Sequence, residues 1–321
     1  GFEWGPFHSM NNAGRIVGTY QGRVAIVDRA GIHPVTAPPS VGSGIDDRSD
    51  VAGRLTGTQT AFAIIGGRLV DIHATLPSLY YTSDGLVMNN RGSVAGIADP
   101  FVDEAVRGFL YRHGHAELVP TLGGDFSFVT GLNDRDVVVG WASTGGGSAN
   151  DPDYHAIVYH DGKVHDLGTL GTGLRSQAFA INDRWQIVGA SQISSADPAA
   201  EHPFLFQNGK MTDLGTLGGI SGRALGINER GLIVGDVGRS DDVQVAFLYA
   251  GNKMLDLNAL TALPAGWELV MAHDINEKGQ IVAQACYGFG GECRPVRLDK
   301  VCGCGACGSG HEATEALTKP E

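Results

Sequence analysis

A chain of 321 residues has room for one large all-β domain or two average ones, and a core of that size needs neither a metal nor a disulfide to hold it. The formal net charge of −12, with no stripe of Lys and Arg, argues against nucleic acid or an anionic membrane as partner, because phosphate binding needs clustered cations. No apolar run approaches the ~18 residues that would span a bilayer. The 48 glycines, without a collagen period, point to many tight turns, and the chain starts at Gly1 rather than Met, as expected if a signal peptide has been removed or the sequence begins inside a longer gene.

Along the chain one motif recurs seven times: an apolar residue, Asn or Asp, a polar pair, usually Gly, then an apolar pair closed by Gly. It first reads Met10-Asn11-Asn12-Ala13-Gly14-Arg15-Ile16-Val17-Gly18, and it begins again at Ile45-Asp46, Met88-Asn89, Leu132-Asn133, Ile181-Asn182, Ile227-Asn228 and Ile275-Asn276. Successive Asn/Asp positions lie 35, 43, 44, 49, 46 and 48 residues apart, close to the ~40–50 residue period of propeller blades. Each unit predicts four short strands. The first precedes the motif (Ala178–Ile181) and the second follows it (Gln186–Gly189). The third is aromatic or aliphatic (Pro203–Phe206, Ala246–Tyr249), and the fourth is Asp166-Leu167-Gly168-Thr169-Leu170, repeated at Asp213–Leu217. All are too short for helices and rich in β-branched and aromatic residues. Asp161-Gly162, Asn208-Gly209 and Gly66-Gly67 supply the positive φ that two-residue hairpins require.

Seven such units predict an all-β, seven-bladed β-propeller of four-stranded blades over residues 1–300, with residues 301–321 as a flexible, Cys- and Gly-rich C-terminal tail. The last unit lacks its Asp-Leu-Gly-Thr-Leu run, so Phe2-Glu3-Trp4 is expected to complete it as the outer strand and close the ring, hiding both edges.

These phrases resemble the HAF repeat family of predicted extracellular bacterial proteins. Its letters stand here as His155-Ala156-Ile157, His202-Pro203-Phe204, Val245-Ala246-Phe247 and Thr60-Ala61-Phe62, beside Asp-Leu-Gly-Thr-Leu-Gly and Ile-Asn-x-x-Gly-x-Val-Gly. The resemblance covers about residues 5–300. It implies export, to an extracellular or periplasmic location, and a repeat fold, and it implies no activity.

Several residue sets invite a chemical reading. The recurrent Asn11, Asp46, Asn89, Asn133, Asn182, Asn228 and Asn276 are explained as turn formers. Three residues before each stand His8, Ser43, Leu86, Thr130, Phe179, Leu225 and His273, at the register expected to line a central channel. His8 and His273 would be neighbours in a closed ring and are the weak catalytic candidates. His155 and His202 open the third strand in consecutive units and more simply pack or cap it. Acidic loops at Asp99, Asp103 and Glu104, at Asp151 and Asp153, and at Asp236, Asp241 and Asp242 offer oxygen ligands to Ca²⁺, or form a solvated rim. Cys286 and Cys293 flank a hairpin loop and are expected to form a disulfide. Cys302, Cys304 and Cys307, with His311 as a fourth ligand, suit a soft ion such as Cu(I) or Zn²⁺. The same thiols also suit a local disulfide with one spare thiol, or a disulfide-linked or covalently attached partner. No nucleophile elbow, zincin helix or phosphate loop is present.

The first functional expectation is therefore an exported binding module that recognises a glycan, peptide or protein partner through its loop face. The alternatives are a hydrolase or lyase with a channel-mouth site, and a carrier for the Cys-rich metal-binding or crosslinking tail.

Overall fold

The structure is a computed structural model that describes residues 2–4, 9–35, 38–100, 105–148, 151–241, 243–288, 291–300 and 311–314. It is an all-β, propeller-like ring of antiparallel meanders, with two 3-10 turns among the described residues, His73–Thr75 and Leu257–Leu260. The first sheet runs Phe2–Trp4, Ile16–Tyr20, Arg23–Asp28 and Gly31–Pro34. The second runs from Ser40–Ile45 to Arg68–Asp71, the third from Tyr80–Met88 to His115–Leu118, and the fourth from Ser127–Leu132 to Lys163–Asp166. Each has four strands in chain order.

Two expectations about the sheets are corrected. Instead of seven separate four-stranded blades, five sheets of four or five strands stand apart and a sixth has eight strands. The eight arise because one parallel pair, Glu201 with Ser221, joins the meander of Ser176–Asp213 to that of Gly218–Asp256. Nor do Phe2-Glu3-Trp4 close the ring as an outer strand. They pair with Tyr20, Thr19 and Gly18, so they are the first strand of the first sheet, a local hairpin that avoids closing a loop the length of the chain. The outer strand of the last sheet is His311–Thr314, which pairs antiparallel with Arg297–Lys300. Part of the expected flexible tail is thus a strand. The pair Thr261 and Ala262 lies along its far edge as the fifth strand of that sheet.

The repeat letters acquire causes. The third-strand aromatics Phe62, Phe109, Phe204 and Phe247 are fully buried and form the core between sheets. The Gly that closes the motif faces them. A Cβ on Gly96 or Gly189 would strike the carbonyl oxygen of Asp84 or Gln177 and the ring of Phe109 or Phe204, which leaves room for Gly alone.

The Asn/Asp side chains do more than form turns. Asn133 Oδ1 accepts the N–H groups of Arg135 and Val137, both at 3.0 Å, and the other six positions repeat this pattern. The amide then reaches the next repeat. Asn11, Asn89, Asn133, Asn182, Asn228 and Asn276 each donate Nδ2–H to the carbonyl of the following Asn/Asp, the last returning to Asn11 at 3.1 Å. Asp46 has no such donor; the guanidinium of Arg48 takes its Oδ2 at 2.7 Å. A second ring lies outside the first. The N–H of Asn12 donates to Asp47, and so on through Asn90, Asp134, Asp183, Glu229 and Glu277 back to Asn12, with every link present. These two rings tie the ends of the chain together.

The histidine that opens the third strand and the Asp of Asp-Leu-Gly also form one unit. His155 Nδ1 lies 2.9 Å from Asp166 Oδ2, and His202 Nδ1 lies 2.9 Å from Asp213 Oδ2, clamping third strand to fourth. Burial alone would raise Asp166; the hydrogen bonds from His155 and from the Gly168 N–H outweigh it and hold the carboxyl below its ordinary value. Cys286 and Cys293 form the expected disulfide across the hairpin loop.

Candidate functional site at the channel mouth

In the second, third, fourth, fifth and sixth repeats, the inner strand carries a β-bulge at the residue three before the Asn/Asp. In the last repeat, one of two register shifts falls there. Bulges re-aim side chains. Thr130, Phe179, Leu225 and His273 accordingly line a central cavity of about 390 Å³, together with Arg223 and Asp274. Ser43 and Leu86 are buried and do not line it. His8 lies outside the described residues, so its pairing with His273 does not enter the geometry. Asp274 accepts N–H groups from Met10 (2.9 Å) and Ile275 (2.8 Å). Burial pushes its carboxyl up to about 6, against the pull of those two hydrogen bonds.

At the Asn end the cavity meets a shallow opening rimmed by Asp47, Asp134, Asp183, Glu229 and Glu277, whose carboxylates are the acceptors of the outer hydrogen-bond ring. At the other end it continues past Arg223 and Met271 into a crevice of about 350 Å³ lined by Glu201, Gly222, Asp236 and Gln244.

The crevice opens where the repeat is broken. In the first four junctions a serine on the inner strand accepts an N–H from the third strand of the preceding repeat. Val24 donates to Ser40, Ala61 to Ser83 at 2.8 Å, Gly108 to Ser127 and Ala156 to Ser176 at 2.8 Å. At the next junction the donor position is Pro203, which has no N–H, and the acceptor position is Gly222, which has no hydroxyl. The staple cannot form there, nor at the sixth-to-seventh junction, where Val270 holds the serine position; at the former, Glu201, Arg223 and Asp236 occupy the gap.

Their electrostatics are unusual for surface carboxylates. Arg223 Nη2 lies 3.1 Å from Asp236 Oδ1 and 3.4 Å from Oδ2, which Gln244 also contacts. Asp236 is 1% exposed, and its Oδ1 has no hydrogen-bond donor in line. Burial raises the Asp236 carboxyl above its ordinary value, with Arg223 and Gln244 pulling against it. Burial raises Glu201 too; Arg223 lowers it in part, and the charge of Asp236 adds to the rise. Two raised carboxyls sharing one arginine in a cleft is a pattern found at acid–base sites.

Sequence reading placed Asp236 with Asp241 in an acidic loop. The structure separates them, since Asp236 turns inward to Arg223 while Asp241 pairs with Arg239 at 2.8 Å. Among the described residues no three His, Cys, Asp or Glu side chains converge as a metal site. Asp103, Glu104, Asp242, Cys302, Cys304 and Cys307 lie outside the described residues, as does the side chain of His311. Glu201 and Arg223 were missed, though the missing staple at Pro203 and Gly222 was there to be read in an aligned repeat.

No family model matches the chain, and no curated protein matches it. Among the described residues no helix is long and apolar enough to cross a membrane. Solved structures do align with it. A gluconolactonase of Xanthomonas campestris, described as important in glucose secondary metabolic pathways, covers 92% of this chain and 87% of its own at 10% identity, with a TM-score of 0.42. An acylaminoacyl peptidase of Pyrococcus horikoshii covers 88% of this chain at 9% identity, with a TM-score of 0.55. This chain spans 50% of the length of that peptidase. At such identity the likeness to the peptidase is one of fold alone.

Proposed function

We propose that the protein is a hydrolase or lyase whose site is the Glu201–Arg223–Asp236 crevice at the mouth of the channel. The observation that carries this is the pair of carboxyls in one crevice, Asp236 buried and Glu201 half-buried, both raised and both facing the charge of Arg223 where the inter-repeat staple is absent. Glu201, raised further by the charge of Asp236, serves as the acid that protonates the leaving group. Asp236, whose rise Arg223 and Gln244 oppose, serves as the base that takes a proton from water as the water oxygen adds to the electrophilic centre. Arg223 orients the substrate. The binding of a glycan, peptide or protein through the loop face alone, expected from the sequence, finds no support in the comparisons.

In this reading the ring counts seven blades, the eight-stranded sheet being two, supported by the seven-link outer hydrogen-bond ring. Membership of the HAF repeat family and export accompany it as parts of the same proposal, the Cys286–Cys293 disulfide being consistent with export.

Turnover of a panel of chromogenic esters, lactones, glycosides and peptides tests the assignment. Activity that falls at least about a hundredfold in Glu201→Gln and Asp236→Asn supports it. Activity untouched by both substitutions removes it.

A further inference from the structure

We infer that the substrate of this site is a neutral saccharide, an inference that rests on the hydrolase or lyase reading above. A sugar ring has an apolar C–H face and a rim of hydroxyls, and the channel mouth offers both kinds of partner. The apolar partner comes from the fourth sheet. Phe128 and Trp141 stack with ring centres 5.1 Å apart at 16°, and Trp141 meets Phe179 edge-on at 6.2 Å. All three are only half-buried, and Phe179 lines the same cavity as Arg223. Half-buried stacked aromatics that lead into a cavity are a surface for the flat face of a ligand.

The hydroxyl partners occupy two registers of the repeat. Five residues before the Asn/Asp, on the inner strand, stand Asp84, Phe128 and Arg223; eight residues after it, on the second strand, stand Arg54, Trp141 and Asp236. The same two registers therefore hold the aromatic stack in one repeat and an Arg–Asp pair on each side of it. Arg223 with Asp236 is one pair. The other is Arg54 with Asp84, at 3.5 Å. Burial pushes the Asp84 carboxyl up to about 6, with Arg54 pulling it down.

Four of the described side-chain atoms that are buried without a hydrogen bond fall in these two registers: Thr19 Oγ1, Arg54 Nε, Asp84 Oδ1 and Asp236 Oδ1. A native fold leaves few such atoms, and here four share two registers of the repeat, with Asp236 among them lining the crevice. Hydroxyl groups, which donate and accept, satisfy carboxylate and guanidinium alike. Glu201 and Asp236 in the crevice and Asp274 in the adjoining cavity disfavour an acidic sugar.

The experiment is binding of methyl glucoside, methyl galactoside and neutral gluco- and xylo-oligosaccharides to the full chain. It is followed by tryptophan fluorescence and saturation-transfer NMR, with glucuronate as the acidic comparison. Saturable binding is expected for a neutral sugar, weakened about tenfold in Trp141→Ala and about twofold in Trp141→Phe, which keeps the stack. Asp84→Asn is expected to weaken binding. Binding unchanged in both Trp141→Ala and Asp84→Asn overturns the inference. So does Glu201-dependent hydrolysis of a non-sugar substrate with no saccharide bound, which leaves the hydrolase reading standing. Saccharide binding without any turnover keeps the inference and removes the hydrolase reading.

Discussion

The junction between the fourth and fifth repeats and the junction between the fifth and sixth use the same template and end in opposite ways. At the first, the buried Ala156 N–H is taken by Ser176, whose hydroxyl donates onward to the Gly168 carbonyl at 2.6 Å, and the sheets close. At the second, Pro203 and Gly222 remove donor and acceptor together, so no polar group is stranded by the loss. What enters instead is charge: Glu201, Arg223 and Asp236 in a crevice continuous with the channel. At the fifth-to-sixth junction a crevice opens where the paired interaction is deleted, while the hydrogen-bond rings at the Asn end continue to hold the sheets.

That comparison can be pressed by substitution. The largest effect is expected in the ring itself. Asn133→Ala removes two accepted N–H bonds and one donated link from a buried site and should cost about 3 kcal/mol or more in urea unfolding. Asn182→Ala, at the fifth-to-sixth junction, which lacks the serine staple, should cost at least as much; a much smaller loss there would mean that other contacts hold that junction. Next comes the staple. Ser176→Ala strands the Ala156 N–H and should cost about 1–2 kcal/mol.

The open junction should respond with the opposite sign. The folded-state pKa of Glu201 is raised, so its ionised form weakens the fold and stability recovers as pH falls toward that pKa. Glu201→Gln should therefore stabilise the protein at pH 7 by up to about 1 kcal/mol while abolishing turnover. A destabilised Glu201→Gln would make the crevice structural, like the staple.

The smallest effect belongs to the His155–Asp166 clamp. Asp166 is lowered in the fold, so its contribution is present above the unfolded-state value and lost as pH falls through the folded one. Asp166 is 44% exposed, so the acid-side difference between wild type and Asp166→Asn should stay under about 1 kcal/mol in thermal melts at successive pH values.

What was legible in the sequence was whatever repeats. The strand order, the Asn turns and the hairpin that brings Cys286 to Cys293 follow from periodicity and turn chemistry. Closure did not, because Phe2–Trp4 and His311–Thr314 carry no repeat letters, and an edge strand is chosen by which chain end lies beside it. The linking role of the Asn amides was hidden too: the intra-turn bonds to Oδ1 already account for the residue type, and only the structure shows where Nδ2 points. The site escaped for a further reason. Chemistry here lies in the columns that vary, and the column three residues before the Asn/Asp was read, whereas those holding Ser176 and Gly222, Asp84 and Arg223, or Arg54 and Asp236 were not.

The account turns on the state of two carboxyls, and carbon-detected NMR titration of Glu201 and Asp236 side chains measures it without a substrate. Both should titrate above ordinary carboxylate values, and Glu201 should fall toward the ordinary range in Asp236→Asn, which removes the neighbouring charge. Titration of both groups at or below ordinary values, unmoved by that substitution, would contradict an acid–base site in the crevice.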